Sequence, residues 1–242
     1  MRVVGIIPAR LAATRLPNKP LLDIHGKPMV QRVWERARQA SRLADVLVAT
    51  PDEAIRDAVT AFGGRAVMTG HQHRSGTDRL AEAAASLDAD VIVNIQGDEP
   101  LIEPDAIDAS VEPFERGAGA QMASLMCCCP EPELDSPTTV KVVCALDGTA
   151  LYFSRTRIPF ARAPEGAVRV MQHIGLYAYR RDFLLTFAGL EPSPLERTEL
   201  LEQLRVLEHG YRIHMVEIAR APLSVDTAED LERVRRIIGG TA

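Results

Sequence analysis

The chain is short of lysine. Of its 28 basic residues only Lys19, Lys27 and Lys141 are not arginine. A planar guanidinium fork and a compact ammonium are not interchangeable, so a lysine here marks a place that wants a point charge. Long apolar runs are missing too, none approaching the roughly 18 residues of a membrane span. Residues 3–7, stopped by Pro8, are too short for a signal-peptide core. A cytoplasmic location without membrane contact is expected. The four cysteines are Cys127, Cys128, Cys129 and Cys144. Adjacent cysteines in an extended run point to opposite faces, so they form neither a zinc spacing nor a disulfide framework, and reduced thiols are expected. The sequence also lacks G-x-G-x-x-G, a P-loop, internal repeats and low-complexity tracts. What remains, 46% hydrophobic and 25% charged residues, excludes a disordered or fibrous chain.

Charge is uneven. The net charge is −5, which argues against general affinity for nucleic acid, yet residues 1–42 hold nine Lys or Arg against two acids. A basic head on an acidic chain suggests a local, small anionic ligand.

Periodicity gives alternating strands and helices. Strands are expected at residues 3–7, 46–49, 65–68, 91–95 and 122–128, and helices at 29–40, 53–62, 77–87 and 105–116. Short apolar strands separated by helices predict an α/β fold around a parallel sheet. After Pro130 the pattern changes. Strands at 140–145 and 150–154 flank Asp147-Gly148, a hairpin signal, and another strand is expected at 173–179. A long helix over 194–209, a strand over 212–218 and a helix over 226–238 complete the chain. The reading is one domain over 1–242 with an antiparallel-rich excursion at about 130–190.

Ligands of open parallel sheets sit at the carboxyl ends of the strands, and three such ends here carry unusual polar sequence. The first, residues 8–20, combines small residues with Arg10, Arg15 and Lys19, three cations that would suit a triphosphate. A solvated basic loop would read the same way. The second is Gln96-Gly97-Asp98-Glu99-Pro100, where Gly97 allows a tight turn and Asp98 could face Mg²⁺ or merely serve a turn. The third is Val225-Asp226-Thr227-Ala228-Glu229-Asp230. Either Asp226 with Glu229 or Thr227 with Asp230 fits a capping box. Two carboxylates facing a basic loop would make a magnesium–triphosphate site.

Residues 4–10 (VGIIPAR), 14–21 (TRLPNKPL), 26–29 (GKPM), 75–82 (SGTDRLAE), 93–100 (VNIQGDEP), 140–143 (VKVV), 150–155 (ALYFSR), 173–177 (HIGLY), 192–196 (PSPLE), 201–205 (LEQLR) and 225–227 (VDT) together resemble the 3-deoxy-manno-octulosonate (Kdo) cytidylyltransferases. The resemblance spans essentially the whole chain. The stretch between Pro159 and Gln172 is shorter than is common in that family. The resemblance implies a nucleotide-diphospho-sugar-transferase fold, a Rossmann-like mixed sheet flanked by helices. It also implies a homodimer, a sugar-pocket and dimerisation role for the excursion, and transfer of CMP from CTP to Kdo for lipopolysaccharide biosynthesis.

On that resemblance Arg10, Arg15 and Lys19 would bind the triphosphate, and Asp98 and Asp226 would hold Mg²⁺. Ala9, Arg74, Ser75 and Gly76 would face the nucleoside, although Ser75 or Thr77 could equally be a helix cap. Gln96, Arg155, His173, Tyr177, Glu202 and Gln203 would contact the sugar, with Arg155 placed to pair with its carboxylate. Rival readings are a cytidylyltransferase for another acid sugar such as sialic acid, one for a polyol phosphate, or a non-catalytic nucleotide-binding protein on the same fold.

Overall fold

The computed structural model describes residues 1–12, 16–73, 75–116, 119–163 and 168–240. In chain order the first half gives β1 (Val3–Pro8), β2 (Asp23–Ile24), β3 (Lys27–Pro28), α1 (Met29–Ala37), β4 (Asp45–Thr50), α2 (Glu53–Ala61), β5 (Arg65–Met68), α3 (Gly76–Ala85), β6 (Val91–Asn94) and α4 (Pro104–Glu115). The second half gives β7 (Met122–Cys128), β8 (Lys141–Cys144), β9 (Ala150–Ser154), β10 (Met171–Arg180), α5 (Arg181–Ala188), α6 (Pro194–Glu199), α7 (Gln203–Glu208), β11 (Ile213–Glu217) and α8 (Ala228–Ile238). Two compact units result: Met1–Asp108 with Pro222–Ala242, and Ala109–Ala221. The antiparallel excursion expected from the sequence lies inside the second.

In the first unit β6, β1, β4 and β5 lie side by side and parallel. Val3, Val4, Ile6, Ile7 and Val46–Ala49 are all buried, as continuous apolar runs in a parallel sheet should be. Helix α1 packs on β1 and β4 through the stripe Met29, Val30, Val33 and Ala37. Between β1 and α1 the chain makes the small hairpin β2–β3. Its turn, His25 (φ 50°) and Gly26 (φ 76°), is left-handed at both positions, the geometry of a tight two-residue loop. Ile24 and Met29 then pack with Val225, Leu231 and Val234, against which Leu16 and Leu22 also lie. That cluster fixes the segment carrying Lys19 against the segment carrying Asp226.

In the second unit β7 runs antiparallel to β10 and parallel to β11. Strands β8 and β9 form the expected hairpin, with Gly148 at φ 80° and Thr149 N donating to Asp147 Oδ1 at 3.0 Å. Two features depart from the sequence reading. Residues 181–188 form α5, which the periodicity did not announce. The single helix expected over 194–209 is two helices. Leu200 ends α6 in the left-handed region (φ 54°, ψ 47°), and α7 starts afresh at Gln203 with Glu202 as its N-cap.

Candidate active site

The ends of β1 and β6 approach so closely that a Cβ on Gly97 would stand 2.9 Å from Pro8 O. Glycine is needed there for close backbone approach, and its φ is not in the left-handed region. Beside this junction, in the first unit, lies a cleft of about 420 Å³ lined by Ala9, Arg10, Lys19, Ser75, Gly76, Gln96, Asp98 and Asp226, among others. These are eight of the residues singled out from sequence. Arg15 and Arg74 lie outside the described residues.

Lys19 stands at the centre. Its Nζ donates to Asp98 Oδ2 at 2.7 Å and Asp226 Oδ1 at 3.2 Å, and its side chain is only 15% exposed. Val225 N donates to Asp98 O at 2.9 Å, which locks the two carboxylate-bearing peptides together. The capping question at α8 is resolved in favour of Thr227 and Asp230, which cap each other's peptides. Asp226 is therefore left to face Lys19. Ser75 is a cap as well, in a reciprocal box with Asp78, while also lining the cleft. Ser75 and Gly76 place the start of α3 at the cleft, where the positive end of the helix dipole favours an anion.

Three further residues escaped the sequence reading. Arg79, one turn into α3, is 3% exposed and lines the cleft, with NH1 donating to Thr69 Oγ1 at 2.6 Å. Burial, then the nearby charge of Arg10, lowers its pKa. Asp52 accepts from Leu11 N at 2.8 Å and so anchors the loop after β1. Glu99 is buried with Oε2 unpartnered, and burial beside Asp98 pushes its carboxyl up to about 8. The signal for Arg79 was its offset of four from the capping serine. Asp52 and Glu99 carry no comparable local signal.

In the second unit His173 lies beside Tyr177, Glu202 is near Tyr177, and Gln203 follows Glu202 in the chain. His173 is edge-on to Phe153 and 5.4 Å, ring to ring, from Tyr177. Burial lowers the His173 pKa to about 3, so the ring is neutral. The Ser124 hydroxyl has Ile174 O and Leu176 O for its proton, so His173 Nε2–H donates to Ser124 Oγ at 3.0 Å. That tautomer leaves Nδ1 as an acceptor. Desolvation and the charge of Glu202 raise the Tyr177 hydroxyl well above its ordinary value. Gln203 is 4% exposed and its Nε2 has no partner. Arg155 donates from Nε to Glu199 O (2.7 Å), from NH1 to Pro137 O (3.0 Å) and from NH2 to Leu200 O (3.3 Å).

Comparison with known proteins gives the family. Residues 4–213 match the family model described as cytidylyltransferase. The chain is 50% identical to 3-deoxy-manno-octulosonate cytidylyltransferase of Geobacter metallireducens, covering 97% of this chain and 96% of that one. It is 51% identical to the same-named protein of Geotalea uraniireducens, covering 97% and 98%. A solved CMP:2-keto-3-deoxy-manno-octonic acid synthetase complexed with CTP superposes with a TM-score of 0.96 at 44% identity, over 100% of both chains. A cleft built on Lys19, Asp98 and Asp226, carried by a fold and a sequence shared over their whole length with these enzymes, makes the chain a member of the 3-deoxy-manno-octulosonate cytidylyltransferase family.

Proposed function

We propose that this enzyme transfers CMP from CTP to the anomeric hydroxyl of Kdo, giving CMP-Kdo and pyrophosphate. The observation that carries the reading is the convergence of Lys19, Asp98 and Asp226 in one cleft of the first unit. The sugar's anomeric oxygen forms a bond to the α-phosphorus. The bond from that phosphorus to the bridging oxygen breaks, its electron pair leaves with pyrophosphate, and the hydroxyl proton is released. Little covalent work falls to the protein, so positioning and neutralisation of phosphate charge should dominate. Arg10, Arg15 and Lys19 take the triphosphate. Ala9, Arg74, Ser75 and Gly76 face the nucleoside, joined by Arg79.

The donor set fits Mg²⁺. Two carboxylates already converge on one cation, the Lys19 ammonium, and all their donor atoms are hard oxygens. Mg²⁺ takes one or two carboxylates and completes its shell with phosphate oxygens and water. Asp98 and Asp226 would hold it, and when bound it supplies charge neutralisation at the phosphates.

For the sugar we assign Gln96, His173, Tyr177, Glu202 and Gln203. The unpartnered Gln203 amide and the acceptor nitrogen of His173 suit hydroxyl groups. Arg155 enters through the carbonyls it holds. We also assign a homodimer, which exposed Leu146, Leu151 and Phe160 in the second unit support. No described helix is long and apolar enough to cross a membrane. We assign its work on CTP to the cytoplasm, where CMP-Kdo would enter lipopolysaccharide assembly. Relatives at about 50% identity named for Kdo favour it over sialic acid or a polyol phosphate. Pyrophosphate release from CTP with each of these acceptors tests the choice, and only Kdo should support turnover.

A further inference from the structure

Lys141 lies in the second unit, remote in role from the triphosphate, yet its side chain is fully buried. All three of its N–H bonds end on backbone carbonyls: Ser136 O at 2.7 Å, Thr139 O at 2.8 Å and Arg155 O at 3.0 Å. A buried charge is costly unless its donors are satisfied, and three converging carbonyls match a tripod better than a planar fork. This accounts for a lysine at a position where an arginine-rich chain departs from habit.

The peptide that Lys141 holds belongs to Arg155, and Arg155 holds the break between α6 and α7. Its Nε donates to Glu199 O and its NH2 to Leu200 O. The Glu199 carboxylate returns the grip, accepting from Arg155 N at 3.0 Å and Ser154 Oγ at 2.7 Å. Leu200 needs holding. A leucine in the left-handed region is disfavoured by its Cβ, and its side chain is 78% exposed, so packing does not keep it there. Arg205 braces the flanking helices through Glu196 at 2.8 Å, whereas Arg155 reaches the kinked peptides themselves. Immediately after the kink come Glu202, near enough to Tyr177 to raise its pKa, and Gln203, whose buried amide nitrogen has no partner.

We infer that Lys141 and Arg155 are a positioning pair: the buried ammonium fixes the Arg155 peptide, the Arg155 fork fixes the Leu200 kink, and the kink sets Glu202 and Gln203 for sugar recognition. The inference rests on the assignment of those two residues to the sugar. Arg155 then serves acid-sugar selection through Gln203.

The test is steady-state kinetics of Arg155→Met, Lys141→Met, Gln203→Ala and the double variant Arg155→Met/Leu200→Gly, with CTP and Kdo varied separately. Arg155→Met should raise KM for Kdo about tenfold while KM for CTP stays within about twofold. Leu200→Gly in the same chain should recover most of that loss, because glycine takes a positive φ without penalty. A carboxylate-binding arginine would not be rescued this way. Lys141→Met should shift KM for Kdo in the same direction, and the Arg155 pair decides the matter even if that variant does not fold. Absence of rescue, or a normal Kdo KM in Arg155→Met beside a raised one in Gln203→Ala, overturns the positioning pair. A normal Kdo KM in Gln203→Ala overturns the sugar assignment beneath it.

Discussion

Lys19 and Asp226 stand 207 positions apart in the chain and 3.2 Å apart in space. The contact is built by the cluster of Ile24, Met29, Val225 and Leu231, and by the Val225-to-Asp98 hydrogen bond that brings the second carboxylate alongside. Two anions sharing one largely buried ammonium hold one another in place before any ligand arrives. A triphosphate entering this cleft meets groups whose orientation is already fixed, which is where electrostatic catalysis gains most.

Lys19→Arg should therefore be damaging. A fork cannot sit between two carboxylates where a point charge fits, and kcat/KM should fall by about two orders of magnitude or more. Lys27 pairs with Glu35 at 2.8 Å, with side chains 39% and 32% exposed, and such a pair contributes about 1 kcal/mol at most. Lys27→Arg should stay within about threefold of the parent enzyme. Equal losses in the two variants, measured in one kinetic assay, would show that lysine identity carries no information.

Asp98→Asn and Asp226→Asn should each reduce turnover by roughly 10²–10³ with little change in melting temperature. Asp230→Ala should act mainly on stability, since it removes the acceptor for Asp226 N and Thr227 N at about 1 kcal/mol. Melting curves and turnover of the three variants, taken side by side, check the division. A stable, fully active Asp226→Asn protein would take that residue out of the metal site.

His173 gives a stability signature in acid. Its folded pKa, about 3, lies below the unfolded value of 6.5, so the unfolded chain binds the extra proton first. The stabilisation is complete above pH 6.5 and is lost as pH falls through about 3. Over that window this one group steepens the fall by up to about 1.4 kcal/mol per pH unit. Denaturant unfolding of His173→Asn should show a flatter acid limb than the parent protein. An unchanged limb would mean the imidazole does not enter the folded state neutral and buried.

Leu151 is 61% exposed on β9. Leu151→Asp should shift the protein towards monomer in light scattering if this face lies between copies. A dimer of undiminished stability would place the contact elsewhere.

Much of this was readable from residues alone, for identifiable reasons. β7 runs over Met122–Cys128 and β9 over Ala150–Ser154, the bounds the apolar runs predicted, because turn residues mark both ends. The break in 194–209 was hidden because Leu200, Leu201 and Leu204 continue a helical spacing through it. It is enforced by Arg155, distant in sequence, not by any local breaker. Lys19 was legible as one of three lysines in an arginine-rich chain, Asp98 because it follows an apolar strand, and Asp226 because it precedes a helix start. Nothing local separated Asp226 from Thr227 as the member of the capping box. The buried Arg79 and the carbonyl-bound fork of Arg155 depend on partners that only the folded chain brings close.

The most direct measurement is pyrophosphate release from CTP with Mg²⁺ present, started by adding Kdo, with the CMP-sugar product quantified in parallel. The account predicts stoichiometric pyrophosphate and CMP-Kdo, no release without an acceptor, and loss of both products in Lys19→Arg. Turnover with sialic acid or a polyol phosphate but none with Kdo, or full turnover by the Lys19 variant, would contradict it.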